Sequence, residues 1–291
     1  MRPANLIVIM SDEHHPRAMG VAGHPFVVTP NLDRLAVRGT RFDAAVCNSP
    51  ICVPSRASFA TGRYVHALGN WDNAMAYDGS VPGWGHALQR AGHRVDSIGK
   101  LHYRNGEDPT GFDRQYHAMH IYGGHGMVWG ALRGGEADFT ERAHTMMEPI
   151  GPGMSKYNVY DDRIAREAER WLADAAASPE APPWVLYLGF VAPDFPLTVP
   201  QEFLDLYPVE HMPRPRLHPK DGHPRHPWLE RSHAMNPIDD ALDDARRLLA
   251  TACSYGLCSW VDRMVGRVTD ALDRTGLVDT TRVIYTNRPS F

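Results

Sequence analysis

Runs of consecutive apolar residues mark the strongest strand candidates in this chain. Leu6–Met10 and Trp184–Phe190 are apolar almost throughout, whereas a strand with one wet face would alternate between apolar and polar side chains. These two segments are therefore predicted to be strands buried on both faces. Two shorter segments, Arg94–Ile98 and Arg282–Thr286, are predicted as further strands.

Apolar residues at helical spacing predict the elements between the strands. Ile164, Ala168 and Leu172 share one face of a helix expected over Asp161–Ala177. Thr29, an N-cap residue followed by a proline, begins an earlier helix. The other predicted helices are Ser55–Thr61, Trp84–Ala91 and Asp240–Thr275, the last as one helix or two.

Buried strands separated by helices predict an α/β fold with a mostly parallel sheet covered by helices on both faces. Such sheets bind ligands beyond the carboxyl ends of their strands. The polar residues in these places are Asp12, Glu13, Lys100, His102 and Asp194. Two segments rich in Gly, Pro and His are expected to be long loops that shape a substrate site or an oligomer contact; they are Asn105–Tyr160 and Pro208–Pro237.

Composition narrows the class of protein. The chain has 291 residues, 43% hydrophobic and 22% charged, with a net charge of -4, which is typical of a globular protein without a basic surface for nucleic acid. No apolar run approaches the roughly 18 residues of a membrane span. Leu6–Met10 is also too short for a signal peptide. We therefore expect a cytoplasmic protein that binds neither nucleic acid nor a membrane.

The four cysteines are too few for a disulfide scaffold at this length. Cys253 and Cys258 lie five apart on a predicted helix, so they point roughly 140° away from each other. That geometry disfavours a zinc site, and we expect both to be small buried hydrophobic residues.

Two groups of residues suggest chemistry. Asp12 and Glu13 follow the first strand, where two carboxylates could hold a hard divalent cation or simply cap a turn. Cys52 precedes a helix whose unpaired N–H groups favour negative charge, and Arg56 lies one turn further on. This arrangement is typical of a nucleophile directed at an anion.

Lys100 and His102 lie two residues apart after a strand, so both could face the same pocket. A lysine there could neutralise an ester oxygen, and a histidine could protonate a leaving alkoxide. A solvated lysine and a structural histidine are the alternative interpretation.

Longer strings of residues add a resemblance that covers essentially the whole chain. The most specific is Cys52-Val53-Pro54-Ser55-Arg56, and the supporting strings are Thr29–Leu35, Trp71-Asp72-Asn73, Gly99–His102 and Val191-Ala192-Pro193. The sequence resembles the type I sulfatases of the alkaline-phosphatase superfamily, and within them the bacterial choline-sulfatase-like group. Residues 1–291 would then be the N-terminal catalytic domain of such an enzyme, with the alkaline-phosphatase-like fold.

The resemblance implies a role for each candidate residue. Cys52, oxidised to formylglycine by a formylglycine-generating enzyme, would be the nucleophile and a metal ligand. Arg56 would stabilise its hydrate. The other implied roles are metal binding for Asp12 and Glu13, substrate contact for Asn73, and sulfate binding for Lys100 and His102. The implied cofactor is Ca²⁺, with Mg²⁺ or Mn²⁺ as alternatives, and the implied substrate is a small-molecule sulfate ester.

The sequence departs from the family in two places. Pro193-Asp194-Phe195-Pro196 has a carboxylate where the family has a histidine, which puts Asp194 at the substrate and leaves proton donation to His102 alone. After Tyr285-Thr286 the family continues with a metal-binding Ser-Asp-His-Gly run, but here Asn287-Arg288-Pro289-Ser290-Phe291 follows. We therefore expect an incomplete C-terminus, without the smaller C-terminal domain, together with weak metal binding and little turnover.

Three functions stay open from the sequence. The first is hydrolysis of sulfate esters to sulfate and an alcohol. The second is hydrolysis of phosphonate monoesters or phosphodiesters by a similar site. The third is a non-catalytic remnant that keeps the fold and binds anions or a full-length partner. An aromatic cage for a quaternary ammonium from Trp84, Tyr122 and Trp129 is less favoured than a packing role for these residues.

Overall fold

The computed structural model describes residues 5–124, 149–217, 222, 225–235 and 242–288. In chain order the described strands are β1 (Asn5–Asp12), β2 (Arg94–Lys100), β3 (Arg114–Met119), β4 (Gly151–Pro152), β5 (Trp184–Gly189), β6 (Thr198–Val199) and β7 (Thr281–Arg288). Five parallel strands form the central sheet in the order β3-β2-β5-β1-β7. A second, two-stranded parallel sheet pairs β4 with β6.

Helices cover both faces of the central sheet. The two longest are α5 (Lys156–Ala176) and α8 (Asp244–Thr275), which pack against each other. The shorter helices are α1 (Pro30–Val37), α2 (Cys52–Thr61), α3 (Val65–Leu68), α4 (Trp84–Arg90), α6 (Gln201–Leu204) and α7 (Pro227–Met235).

The two faces of β1 divide the core into two layers. Ile7 and Ile9 face the layer that contains α5 and α8. Val8 and Met10 face the opposite layer, where Ala57 of α2 packs. Because successive side chains of a strand point to opposite faces, an apolar run such as this one is buried on both sides. The arrangement places the N-terminal turn of α2 near the carboxyl end of the sheet.

The predicted fold class is confirmed, with a mostly parallel sheet sandwiched by helices. Helix α2 begins at Cys52 itself and not at Ser55, so the cysteine is part of the first helical turn. Within the interval predicted as one helix or two, residues 244–275 form one continuous helix, α8, and residues 240 and 241 lie outside the described part of the chain.

The prediction of long loops was wrong for parts of both intervals, while residues 125–148, 218–221, 223–224 and 236–237 of those intervals lie outside the described residues. Residues 105–160 contain β3, and residues 208–237 contain α7. The sequence of β3, Arg-Gln-Tyr-His-Ala-Met, is mostly polar because β3 is an edge strand whose residues are only partly buried or exposed. Such a strand lacks the apolar run that identified β1 and β5. None of the described helices combines the length and hydrophobicity that crossing a bilayer requires.

Candidate active site

The carboxyl ends of β1 and β2 place two charged residues in the protein interior. Asp12 is the last residue of β1, Lys100 is the last residue of β2, and β5 lies between these strands. Both residues are buried. Since charged side chains are almost never fully buried unless they are paired, their partners define the site.

A buried ion-pair cluster joins β1, β2, α2 and the loop after β5. Arg56 Nη2 donates to Asp12 Oδ1 at 2.6 Å. Lys100 Nζ forms ion pairs with Asp12 Oδ2 and, at 3.2 Å, with Asp194 Oδ2. Two cations and two carboxylates from four separate parts of the chain therefore meet in one cluster.

Further hydrogen bonds fix the Arg56 guanidinium in this cluster. Its Nη1 donates to the backbone oxygen of Lys100 at 2.7 Å and to the Tyr187 hydroxyl at 2.9 Å. Arg56 is 2% exposed and Tyr187 is 3% exposed. The guanidinium is thus held in one orientation beneath the first turn of α2.

The carboxylates keep both cations charged. Burial by itself lowers the pKa of Lys100, but the charges of Asp12 and Asp194 raise it by more, so its pKa lies above the usual value. Burial also lowers the pKa of Arg56, and the negative charge of Asp12 is the main effect that raises it above the usual value. Cys52 contributes to the rise for both cations, which places residue 52 within electrostatic reach of the pair.

Two glycines allow β2 and β5 to approach closely beside the cluster. A Cβ atom on Gly189 would lie 2.1 Å from the Lys100 oxygen, and one on Gly99 would lie 2.4 Å from the Gly189 oxygen. Gly99 also has φ +99°, a conformation that side chains rarely adopt. The position of the Lys100 carbonyl, which accepts a hydrogen bond from Arg56, thus depends on the absence of a side chain at residues 99 and 189.

Asn73 supplies the cap that α2 does not receive from its own N-cap residue. Ile51 precedes the helix and makes no side-chain cap bond. Asn73 Oδ1 accepts a hydrogen bond from the Val53 N–H at 3.1 Å. The amide therefore satisfies one of the N–H groups that a helix start leaves unpaired. Its predicted contact with substrate stays a prediction.

Glu13 and His102 share an unusual backbone conformation. Glu13 has φ 60° and His102 has φ 51°, values that cost energy for residues other than glycine. The His102 N–H donates to the Met119 oxygen at 2.8 Å, which connects it to β3. Strain of this kind is concentrated at functional sites, but the roles of both side chains stay predictions.

The described residues do not by themselves fit a divalent metal. In the part of the chain that the structure describes, no group of three or more His, Cys, Asp or Glu side chains is placed to hold one. The Asp12 carboxylate, the main predicted ligand, is instead paired with Arg56 and Lys100. Both carboxylate oxygens of Asp12 therefore face positive charge from the protein itself.

Two buried positions near the site were missed by sequence reasoning. Asp161, predicted only as part of a helix, accepts hydrogen bonds from the Val191 and Ala192 N–H groups at 2.8 and 3.0 Å. Burial raises its pKa to about 7. Tyr187 was expected only as part of an apolar strand. No local pattern signals either role, because the partners are distant in sequence.

A buried hydrogen-bonded chain was also missed, and it connects the end of β1 to β7. The Tyr285 hydroxyl lies 2.7 Å from Ser11 Oγ and 2.6 Å from His14 Nδ1. His14 Nε2 lies 2.8 Å from the Ala18 oxygen. Burial lowers the pKa of His14 to about 4, so the ring is neutral and can donate to Ala18 while accepting from Tyr285. This chain fixes the residues on both sides of Asp12.

Several other residues considered in the sequence lie outside this cluster or outside the described residues. Trp84 makes edge contacts with Phe59 and Phe112 in the core layer of α2, and Tyr122 is exposed. Trp129, the third residue of the proposed aromatic cage, lies outside the described residues. Cys253 and Cys258 are buried as predicted, and burial raises the pKa of their thiols to about 11 and about 12.

Comparison with known proteins assigns the chain to a family. The sulfatase family model matches residues 4–287, so the chain belongs to the sulfatase family. It is 28% identical to the choline-sulfatase of Rhizobium meliloti over 97% of its own length, and 24% identical to an arylsulfatase of Clostridium perfringens over 98%. The predicted resemblance is confirmed.

A solved structure supports the same fold. The phosphonate monoester hydrolase SpPMH from Silicibacter pomeroyi superposes with a TM-score of 0.73 at 22% identity and covers 99% of this chain. The chain spans 56% of the Rhizobium choline-sulfatase and 62% of both the Clostridium arylsulfatase and SpPMH.

Proposed function

We propose that this chain contributes the nucleophile and the anion-binding residues of a sulfatase site, and that the enzyme hydrolyses small-molecule sulfate esters to sulfate and an alcohol. One observation carries the proposal. Cys52 begins α2, and the buried Arg56, one turn further along the same helix, donates a hydrogen bond to the backbone oxygen of the buried Lys100. A nucleophile beside two fixed positive charges favours a substrate with a negatively charged reacting group.

Each residue of the site takes a role in this proposal. Lys100 binds an oxygen of the sulfate group, because its ammonium stays charged in the protein interior. Arg56, fixed by Asp12 and Tyr187, orients the group at position 52. His102 gives a proton to the leaving alkoxide, and Asn73 holds the first turn of α2 and contacts the substrate.

The family generally depends on formylglycine and a divalent metal. A formylglycine made from Cys52 by a formylglycine-generating enzyme would supply a hydrated aldehyde with one hydroxyl to attack sulfur and a second to expel the product. The half-buried Cys52 in the first turn of α2 suits that role. A metal held by Asp12 and Glu13 would require the Asp12 ion pairs to rearrange.

The first test is the mass of the proteolytic peptide that contains Cys52, from protein made together with a formylglycine-generating enzyme. We expect the mass of the aldehyde, and a Cys52→Ala variant provides the control. Turnover of an aryl sulfate beside an aryl phosphonate ester then distinguishes sulfate hydrolysis from the phosphonate alternative. An unmodified thiol at residue 52 would contradict the proposal.

A second candidate function is anion binding without turnover. The pairing of Asp12 with two cations supports it, because a metal must compete with Arg56 and Lys100 for the same carboxylate. Calorimetric titration with Ca²⁺ separates the two candidates. Stoichiometric binding that Asp12→Asn abolishes would favour the catalytic function, and no heat of binding would favour the non-catalytic one.

A further inference from the structure

The Lys100 ammonium is covered by carboxylates in this structure. Its side chain is 3% exposed and lies between Asp12 and Asp194. With Arg56 included, the cluster contains two positive and two negative groups. The charges of these four groups balance, so an approaching anion must compete with the two carboxylates for Lys100.

Asp12 and Asp194 are held very differently. Asp12 is fully buried and paired with both cations. Asp194 is 9% exposed, and its Oδ2 lies 3.2 Å from Lys100. Because a closer and more deeply buried pair interacts more strongly, Asp194 is the carboxylate that an anion from solvent would replace.

The backbone that presents Asp194 is fixed. Asp161 accepts the N–H groups of Val191 and Ala192. The Asp194 N–H donates to the Val191 oxygen at 3.1 Å and closes the turn. Displacement of Asp194 from Lys100 would thus involve its side chain, while hydrogen bonds hold the loop backbone in place.

We propose that Asp194 is a specificity-determining residue. It is an internal counter-anion that the anionic group of the substrate displaces from Lys100, and it selects singly charged over doubly charged ligands. The inference rests on the proposed anion site and gives that site a charge preference. Once displaced, Asp194 stays near the ligand and repels it. A dianion feels about twice the repulsion of a monoanion of the same shape. Sulfate monoesters are monoanions, whereas phosphate monoesters at neutral pH are mostly dianions.

The test measures binding of inorganic sulfate and of methyl sulfate to wild-type protein and Asp194→Asn. Asparagine keeps the size of the side chain and removes its charge. We expect sulfate to bind about tenfold more tightly to the variant. Methyl sulfate has half the charge, so its affinity for the variant should rise only about threefold over the wild type. The measurement is calorimetric and uses protein with an unmodified thiol at residue 52.

Two further variants keep the result interpretable. Asp194→Ala should also gain more affinity for sulfate than for methyl sulfate. That result would exclude a new hydrogen bond from the asparagine side chain as the cause of the gain. Asp96→Asn is the matched control. Asp96 is a buried carboxylate on β2, the strand that ends at Lys100, and it pairs with Arg94 at the opposite end of β2. It should leave the affinity for both anions unchanged. Adding Lys100→Met to Asp194→Asn should abolish the gain.

Unchanged or weaker sulfate binding in Asp194→Asn would overturn the inference, and so would equal gains for the two anions. No binding of sulfate by the variant would overturn it as well. Failure of the proposed function has a different signature. In that case residue 52 stays a thiol or the aryl sulfate is not turned over, while the effect of Asp194 on anion affinity is still measurable.

Discussion

The carboxylate of Asp12 and the guanidinium of Arg56 meet at 2.6 Å, and both side chains are almost completely shielded from water. The pair joins the end of β1 to the first turns of α2. Charges taken out of water are costly unless each finds a partner. Removing either residue therefore leaves the other as a buried charge that has lost a directly bonded opposite charge.

Replacing Arg56 should be strongly destabilising. Arg56→Met removes one charged partner of a buried carboxylate, and we expect the free energy of unfolding, measured by urea denaturation, to fall by about 3–5 kcal/mol. Arg263→Met is the control, because Arg263 pairs with Glu202 at 2.7 Å and both are about half exposed. That variant should lose less than about 1 kcal/mol. Equal losses would contradict a special role for the buried pair.

Gly189 should not tolerate a methyl group. In Gly189→Ala the new Cβ would lie 2.1 Å from the Lys100 oxygen, so β2 and β5 must separate. We expect a loss of about 3 kcal/mol in the free energy of unfolding. Gly39→Ala is the matched control, since its nearest atom would be at an ordinary 3.5 Å. A Gly189→Ala protein as stable as Gly39→Ala would show that the strands are further apart than described.

Loss of the Asn73 cap should weaken α2. Asn73→Ala leaves the Val53 N–H without its acceptor, and such caps contribute about 1 kcal/mol. Asn73→Asp keeps an acceptor and adds a negative charge at a helix N-terminus, so it should retain most of the stability. Thermal unfolding of the three proteins checks the ranking. If alanine and aspartate destabilise equally, the hydrogen bond does not support the helix.

Asp161 should make stability depend on pH. Its pKa is raised from 3.8 to about 7 in the folded protein, so the folded state holds a proton that the unfolded state releases. The contribution of Asp161 is most favourable below about pH 4 and is lost as pH rises to about 7. Relative to Asp161→Asn, which does not titrate, wild-type stability should fall by roughly 4 kcal/mol across this range.

The measurement for Asp161 is urea denaturation of both proteins at several pH values between 4 and 8. Only the difference between the two is informative, because all other titrating groups are shared. A difference that stays constant with pH, or that grows in favour of the wild type as pH rises, would contradict the buried state of this carboxylate.

Local sequence predicted those elements whose signal lies within a few residues. The apolar runs of β1 and β5 identified buried parallel strands because both faces of each are covered. Thr29 and Pro30 marked the start of α1 because a helix start favours these residue types. The edge strand β3 and the helix α7 were missed, since their partly exposed residues lack a clear period.

The candidate site divides in the same way. The sequence by itself determined which residue types surround Cys52, through the string from Cys52 to Arg56 and through polar residues that end parallel strands at one edge of the sheet. Only the tertiary structure decided which of the charged residues form pairs. Asp12 binds Arg56 from 44 positions away, and Asp194 reaches Lys100 from 94. Such pairings depend on the order of the strands and on the close approach of β2 to β5, which glycine permits. No short-range pattern of residues encodes either feature.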